Sequence, residues 1–130
     1  GVGDYSFKPF KVAVSGLYKN PRFSLLLPKD SKPIMLDDTC YFIGFESLEY
    51  AKITHFLLNK PETQLFLQSI IFSDSKRSIT KEVLMRIDIT KIANETNYND
   101  LDCNISINEW MNYLNLVNQK NENQIVMQLS

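Results

Sequence analysis

The chain is short of several residue types that function often depends on. It holds two cysteines, one histidine, four glycines and one tryptophan in 130 residues. Cys40 and Cys103 lie far apart, and a secreted disulfide scaffold usually carries more, so free thiols in a reducing cytoplasm are expected. A structural zinc site needs clustered Cys, His or acidic ligands, and a lone histidine without paired cysteines does not supply them. No glycine stands between a strand and a helix in the spacing of a phosphate-cradling loop. No apolar run reaches the roughly 20 residues of a membrane span, and no secretory signal pattern is present. The first residues, Gly-Val-Gly, read as the cut edge of a longer protein.

What remains is ordinary globular composition, 44% hydrophobic and 22% charged with a net charge of −1, enough for one domain with a core. The charge is unevenly spread. Residues 1–91 hold thirteen Lys/Arg against ten Asp/Glu, and residues 92–130 hold one against five. Lys8, Lys11, Lys19, Arg22, Lys29 and Lys32 crowd the first 35 positions. A basic lobe joined to an acidic tail fits contact with a polyanion on one side; a normally solvated surface gives the same counts.

Residues 7–17 alternate, with Phe10, Val12 and Val14 against Lys11, Ala13 and Ser15, which predicts a strand with one buried face. Residues 18–21 read as a turn, 22–27 as a second strand, 34–36 as a short third and 40–45 as a fourth. Helical spacing then takes over. Ser47 is a fitting N-cap with Glu49 in the first turn, and the apolar face runs to Asn59-Lys60. Pro61 suits the first position of a second helix, carried by Leu65, Phe66, Leu67, Ile70 and Ile71 to Phe72. A polar loop with Lys76-Arg77 follows, then Thr80 as N-cap of a short helix over 80–86. Ile87-Asp88-Ile89 reads as a strand or as the end of that helix.

Residues 92–130 contain ten asparagines. Residues 94–103 read as loop. Ser106 and Glu109 fit a capping box, and Ile107, Trp110, Met111, Leu114 and Val117 fall at helical spacing up to about 120. The last ten residues read as an extra strand around 125–127 or as a frayed tail. The fold class is α+β: a small, mostly antiparallel sheet followed by a packed helical layer.

Catalytic chemistry finds little support. His55 sits mid-helix without an exposed nucleophile or orienting acid in its sequence context, as a structural histidine would. Asp37-Asp38 suit a metal or acid–base pair, or a turn with backbone hydrogen bonds. Binding is better supported. Tyr5, Phe7, Lys8, Phe10, Lys11, Tyr18, Lys19, Arg22 and Phe23 interleave bases with aromatics. Lysines on a strand's outer face neutralise phosphates, and a basic pair on a loop donates to phosphates or to guanine. The competing reading is a sheet whose aromatics fill the core and whose lysines are solvated.

Three runs go further: Y-S-F-K-P-F-K-V-A-V-S-G-L-Y-K-N-P-R-F-S-L at 5–25, D-D-T-C-Y-F at 37–42, and F-L-Q-S-I-I-F-S-D-S-K-R-S-I-T-K-E-V-L-M-R-I-D-I at 66–89. In this order and spacing they resemble the C-terminal specificity region of bacterial adenine-specific DNA methyltransferases, including TaqI-like and type IIG enzymes that join modification to restriction. Family members show runs like K-V-A-I-S-G-x-Y-K, D-D-T-x-Y-F and F-L-x-S-x-I-F-x-x-x-K-R-x-I-T. The resemblance covers about residues 5–90. It implies a cytoplasmic restriction–modification protein whose catalytic domain, outside this chain, uses S-adenosylmethionine, with Mg an added possibility where an endonuclease is fused. In that family an Asn-Pro-Pro-Tyr-type motif acts on a base flipped from the duplex. Asn20-Pro21-Arg22 lacks the second proline and the aromatic, so this chain is expected to be non-enzymatic and to bind double-stranded DNA beside the catalytic domain of its own parent. Residues 1–91 would form the DNA-recognition core, with strands in 5–45 and helices in 47–89, and 92–130 an Asn-rich loop and amphipathic helix.

The DNA-contact candidates are Lys8, Lys11, Tyr18, Lys19, Arg22, Lys29, Lys32, Lys76 and Arg77. Lys76-Arg77 belong to a family-wide element, which suits phosphate anchoring or holding the fold. Discrimination of sequence falls to the loops at 18–22 and 29–32. Two other functions stay open: a scaffold docking catalytic and recognition parts, marked by an exposed apolar patch, and a small metal-dependent nuclease using Asp37-Asp38, marked by a third converging acid.

Overall fold

A computed structural model describes residues 8–15, 21–28, 40–73, 80–119 and 128–129. The fold is α+β. Strands β1 (Phe10–Ser15), β2 (Ser24–Leu26), β3 (Cys40–Phe45) and β4 (Gln128–Leu129) form one sheet in the order β2-β1-β3-β4. Every pairing is antiparallel. The register places Val12 between Leu25 and Ile43, Phe10 opposite Phe45, and Val14 opposite Tyr41. Because side chains alternate across a strand, these residues share the face that packs on the helices, where Val12, Val14, Phe23 and Ile43 are buried with Ala51, Leu58, Leu67, Val83 and Leu84. Burying each larger apolar side chain stabilises the fold by about 1.5–3 kcal/mol.

The alternation in β1 predicts one open face, and the structure departs from that. Lys11 is 1% exposed and Ala13 6%, and Phe42, paired opposite Ala13, is 1% exposed. β1 is a central strand covered on both sides. The predicted strand at 34–36, the turn at 18–20, Asp37-Asp38 and residues 125–127 lie outside the described residues. The C-terminal segment does add a strand, at 128–129 against Tyr41 and Phe42.

Helix α1 (Leu48–Leu58) starts where Ser47 Oγ accepts the Tyr50 N–H, and Asn59 is its C-cap. It buries two faces. Ala51 and Leu58 meet the sheet, while Ile53 and Leu57 join Ala93, Ile105, Trp110, Tyr113 and Val117 in a second core. Helix α2 (Pro61–Ser73) follows after Asn59 and Lys60 alone. It is apolar on more of its surface than the fold covers: Leu67 is buried, whereas Leu65 is 65% and Phe66 37% exposed.

Helix α3 (Lys81–Leu84) is capped by Thr80 but is a single turn, shorter than the predicted 80–86. Arg86 and Ile87 close it with i→i+3 bonds to Val83 and Leu84. Ile87-Asp88-Ile89 is neither strand nor helix end. Asp88 is an N-cap, accepting from the Lys91 N–H at 3.1 Å, and opens helix α4 (Ile89–Asn94). A 3-10 turn at Tyr98–Asp100 leads on, and Tyr98 Oη donates to the Ile105 carbonyl at 2.6 Å. The capping box of helix α5 (Ile107–Gln119) forms in both directions, Glu109 N–H to Ser106 Oγ at 3.1 Å and Ser106 N–H to Glu109 Oε1 at 3.0 Å. Its buried face is Trp110, Tyr113 and Val117, whereas Ile107 and Met111, predicted to lie on it, are half exposed. Among the described residues no helix is long and apolar enough to cross a membrane.

Candidate functional site

The junction of α1 and α2 gathers the polar chemistry of the described residues. Asn59, as C-cap, leaves its side chain free to pair with a neighbouring strand instead of its own helix. Asn59 Oδ1 accepts from the Phe23 N–H at 2.8 Å and Nδ2 donates to the Phe23 carbonyl at 3.0 Å. One turn earlier, His55 Nε2 lies 3.1 Å from the same carbonyl and 3.1 Å from Asn59 Nδ2. Gln64, in the first turns of α2, is 6% exposed. Its Nε2 donates to the Pro21 carbonyl at 2.9 Å and to the Leu58 carbonyl at 3.1 Å. Among the described residues its Oε1 is buried without a hydrogen-bond partner. Nε2 faces carbonyl oxygens, which fixes which end of the amide is which.

These groups back an open cleft of about 470 Å³ lined by Arg22, His55, Phe56, Asn59, Lys60, Pro61, Asp100, Asp102 and Cys103. Arg22 and Lys60 bring cationic side chains to the cleft. Arg22 is exposed, and its Nη1 donates to the Asn59 carbonyl at 3.5 Å. It stands at the C-terminal end of α1, where unpaired carbonyls favour a cation. Lys60 is engaged, donating to Thr96 Oγ1 at 2.7 Å and pairing with Glu62 at 3.5 Å. Asp100 and Asp102, both exposed, also line the cleft.

The cleft is poorly equipped for nucleophilic chemistry. Burial pushes the Cys103 thiol up, only partly offset by the Lys52 charge, so the thiolate is disfavoured. Burial holds His55 below its ordinary value, the Phe23 carbonyl opposes that, and the Arg22 charge adds to it. No hydrogen bond joins Cys103 to His55 among the described residues. Nor, among the described residues, do three His, Cys, Asp or Glu side chains converge as metal ligands would.

The predicted contact residues divide sharply. Arg22 stands on the cleft. Lys8 is half-buried and pairs with Glu46 at 3.6 Å. Lys11 is a buried residue of β1; its Nζ donates to the Lys8 carbonyl at 2.9 Å and lies 5.9 Å from the Phe42 ring centroid, which is an internal role. Tyr18, Lys19, Lys29, Lys32, Lys76 and Arg77 lie outside the described residues. Asn59 and Gln64 are not among the site residues to which the sequence points. The only local signal was a polar Thr63-Gln64 pair inside an apolar helix that opens on proline.

Comparison with known proteins finds a relative among the methyltransferases. Over 93 residues, 72% of the chain, the sequence is 43% identical to the Type II methyltransferase M.NspV of Nostoc sp. (strain ATCC 29411 / PCC 7524). The match covers 19% of that protein, so the chain spans about a fifth of the relative's length. No protein-family profile and no solved structure matches. The chain is related to a segment of a Type II methyltransferase.

Proposed function

We propose, from this kinship, that the chain is the target-DNA recognition segment of an adenine-specific DNA methyltransferase in a restriction–modification system, working in the cytoplasm. The observation that carries the reading is the 43% identity over 93 residues. Its support is the order of the three runs at 5–25, 37–42 and 66–89. In this reading the parent is TaqI-like or type IIG, and methyl transfer from S-adenosylmethionine belongs to its catalytic part. The chain's share of the work is to neutralise phosphates through Lys8, Arg22, Lys76 and Arg77 and to hold the duplex for the catalytic part, with discrimination in the loops at 18–22 and 29–32. Lys11, whose ammonium is spent internally, serves the fold.

Equilibrium binding to duplex DNA at several salt concentrations tests the reading. The chain should bind with an affinity that falls steeply with salt, and the Lys76→Ala/Arg77→Ala variant should bind more weakly with a shallower slope. Absence of salt-dependent binding would sink the proposal. Metal-dependent cleavage by the chain alone would overturn its non-enzymatic part.

A second reading, docking of the catalytic part, is favoured by the exposure of Leu65, Phe66 and Met85 on α2 and beside α3. Leu65→Glu should then weaken association with the catalytic part while leaving DNA binding by the chain unchanged.

A further inference from the structure

The two peptide groups that flank Arg22 are both held by side chains from the α1–α2 junction. The carbonyl of the Pro21–Arg22 peptide accepts from Gln64 Nε2 at 2.9 Å. The N–H of the Arg22–Phe23 peptide donates to Asn59 Oδ1 at 2.8 Å, and the next carbonyl, that of Phe23, accepts from Asn59 Nδ2 at 3.0 Å. Pro21 and Phe23 are buried on either side while Arg22 itself is exposed. With both neighbouring peptide planes pinned, the direction of the Arg22 Cα–Cβ bond is set, and its Nη1 lies 3.5 Å from the Asn59 carbonyl.

Gln64 is 6% exposed, and among the described residues its Oε1 is buried with no partner, which costs stability. What the amide supplies is a donor to a carbonyl 43 residues away in sequence. We propose that Asn59 and Gln64 are positioning residues that pre-aim Arg22 at a phosphate of bound duplex DNA. The inference rests on the DNA-binding reading above. Pre-aiming matters because ordering a mobile backbone on binding subtracts from affinity, and a contact held beforehand avoids that loss.

The experiment is equilibrium binding of the full chain to a mixed-sequence DNA duplex across a salt series, with urea midpoints confirming that each variant is folded. Arg22→Ala should reduce the log–log salt slope by about one, the signature of one lost phosphate contact. Gln64→Met and Asn59→Ala should weaken binding and make the slope shallower, and should add nothing further when combined with Arg22→Ala. Amide exchange supplies a readout without DNA: the Phe23 N–H should exchange faster in Asn59→Ala while β1–β3 amides stay protected. Clamp variants that keep the parental slope, or losses that add fully to that of Arg22→Ala, would overturn the positioning role and leave the DNA reading standing. An unaltered slope in Arg22→Ala would also overturn it alone. A parent chain without salt-dependent duplex binding would overturn both.

Discussion

Thr54 Oγ1 and Tyr113 Oη lie 2.8 Å apart, and both residues are fully buried. This hydroxyl pair links α1 to α5 inside the second core. Around it Tyr113 meets the Tyr50 ring edge-on at 5.6 Å and stacks on Trp110 at 6.1 Å with 10° between the planes. Burial pushes the phenol far above its ordinary range, against a smaller opposing effect of the Thr54 hydrogen bond, so Tyr113 stays neutral and is free to donate.

Tyr113→Phe removes one hydroxyl and leaves the Thr54 hydroxyl buried without its partner. We expect a loss of about 1–3 kcal/mol. Adding Thr54→Val, which removes the stranded group, should recover part of that loss. Urea unfolding of the two single variants and the double variant measures this. Strict additivity would show that the pair is not energetically coupled.

Trp110→Ala deletes the largest side chain of the α5 face, which is 3% exposed. A cost of about 3–5 kcal/mol is expected from lost burial and the cavity left behind. That is a large part of the ~5–15 kcal/mol that holds a typical domain together. Thermal unfolding followed by circular dichroism should show a strongly lowered midpoint.

Two positions at the start of α5 should respond differently. Ser106→Ala removes the acceptor for the Glu109 N–H and should cost about 1 kcal/mol. Met111→Gln changes a side chain that is 50% exposed and should stay within about 0.5 kcal/mol. Equal urea midpoints for these two variants would contradict the observed orientation of α5.

His55 predicts the direction of a pH effect. Its folded value is lowered, chiefly by burial, while its unfolded value is near 6.5. Below that pH the unfolded chain takes up a proton that the folded chain resists. His55 therefore contributes stability that is present above about pH 6.5 and is lost as pH falls through the folded value. His55→Gln should flatten the urea midpoint across that acidic window. A parental midpoint that rises on acidification there would contradict the assignment.

What was legible in the sequence was local. Ser47, Pro61, Thr80 and the Ser106–Glu109 box each act within four residues, and the structure places a helix start at each. The fourth predicted strand coincides with β3, where aromatic and β-branched residues are dense. Asp88 was hidden because Ile87 and Ile89 beside it suggested alternation, whereas the relevant spacing was Ile89, Ile92 and Ala93 downstream. Lys11 obeyed the period of two, but alternation reports which residues share a face and not whether that face is covered. Tyr113 was missed because Ile107 and Met111 defined a rival stripe that the structure leaves half exposed. Gln64 and Asn59 were beyond reach, since their partners at Pro21 and Phe23 are 43 and 36 residues away and no short-range pattern marks such a meeting. The DNA-contact assignments drew on resemblance, and of those within the described residues Arg22 is the exposed one on the cleft.

The two-sided burial of α1 limits how the polypeptide can be shortened. A chain ending at 91 would keep β1–β3 and the first three helices, but it would lose β4, strip the cover from Ile53 and Leu57, and sever the Thr90–Val117 hydrogen bond. The exposed stripe would make such a fragment prone to self-association. For preparing a soluble sample, the segment through α5 is therefore as indispensable as the sheet.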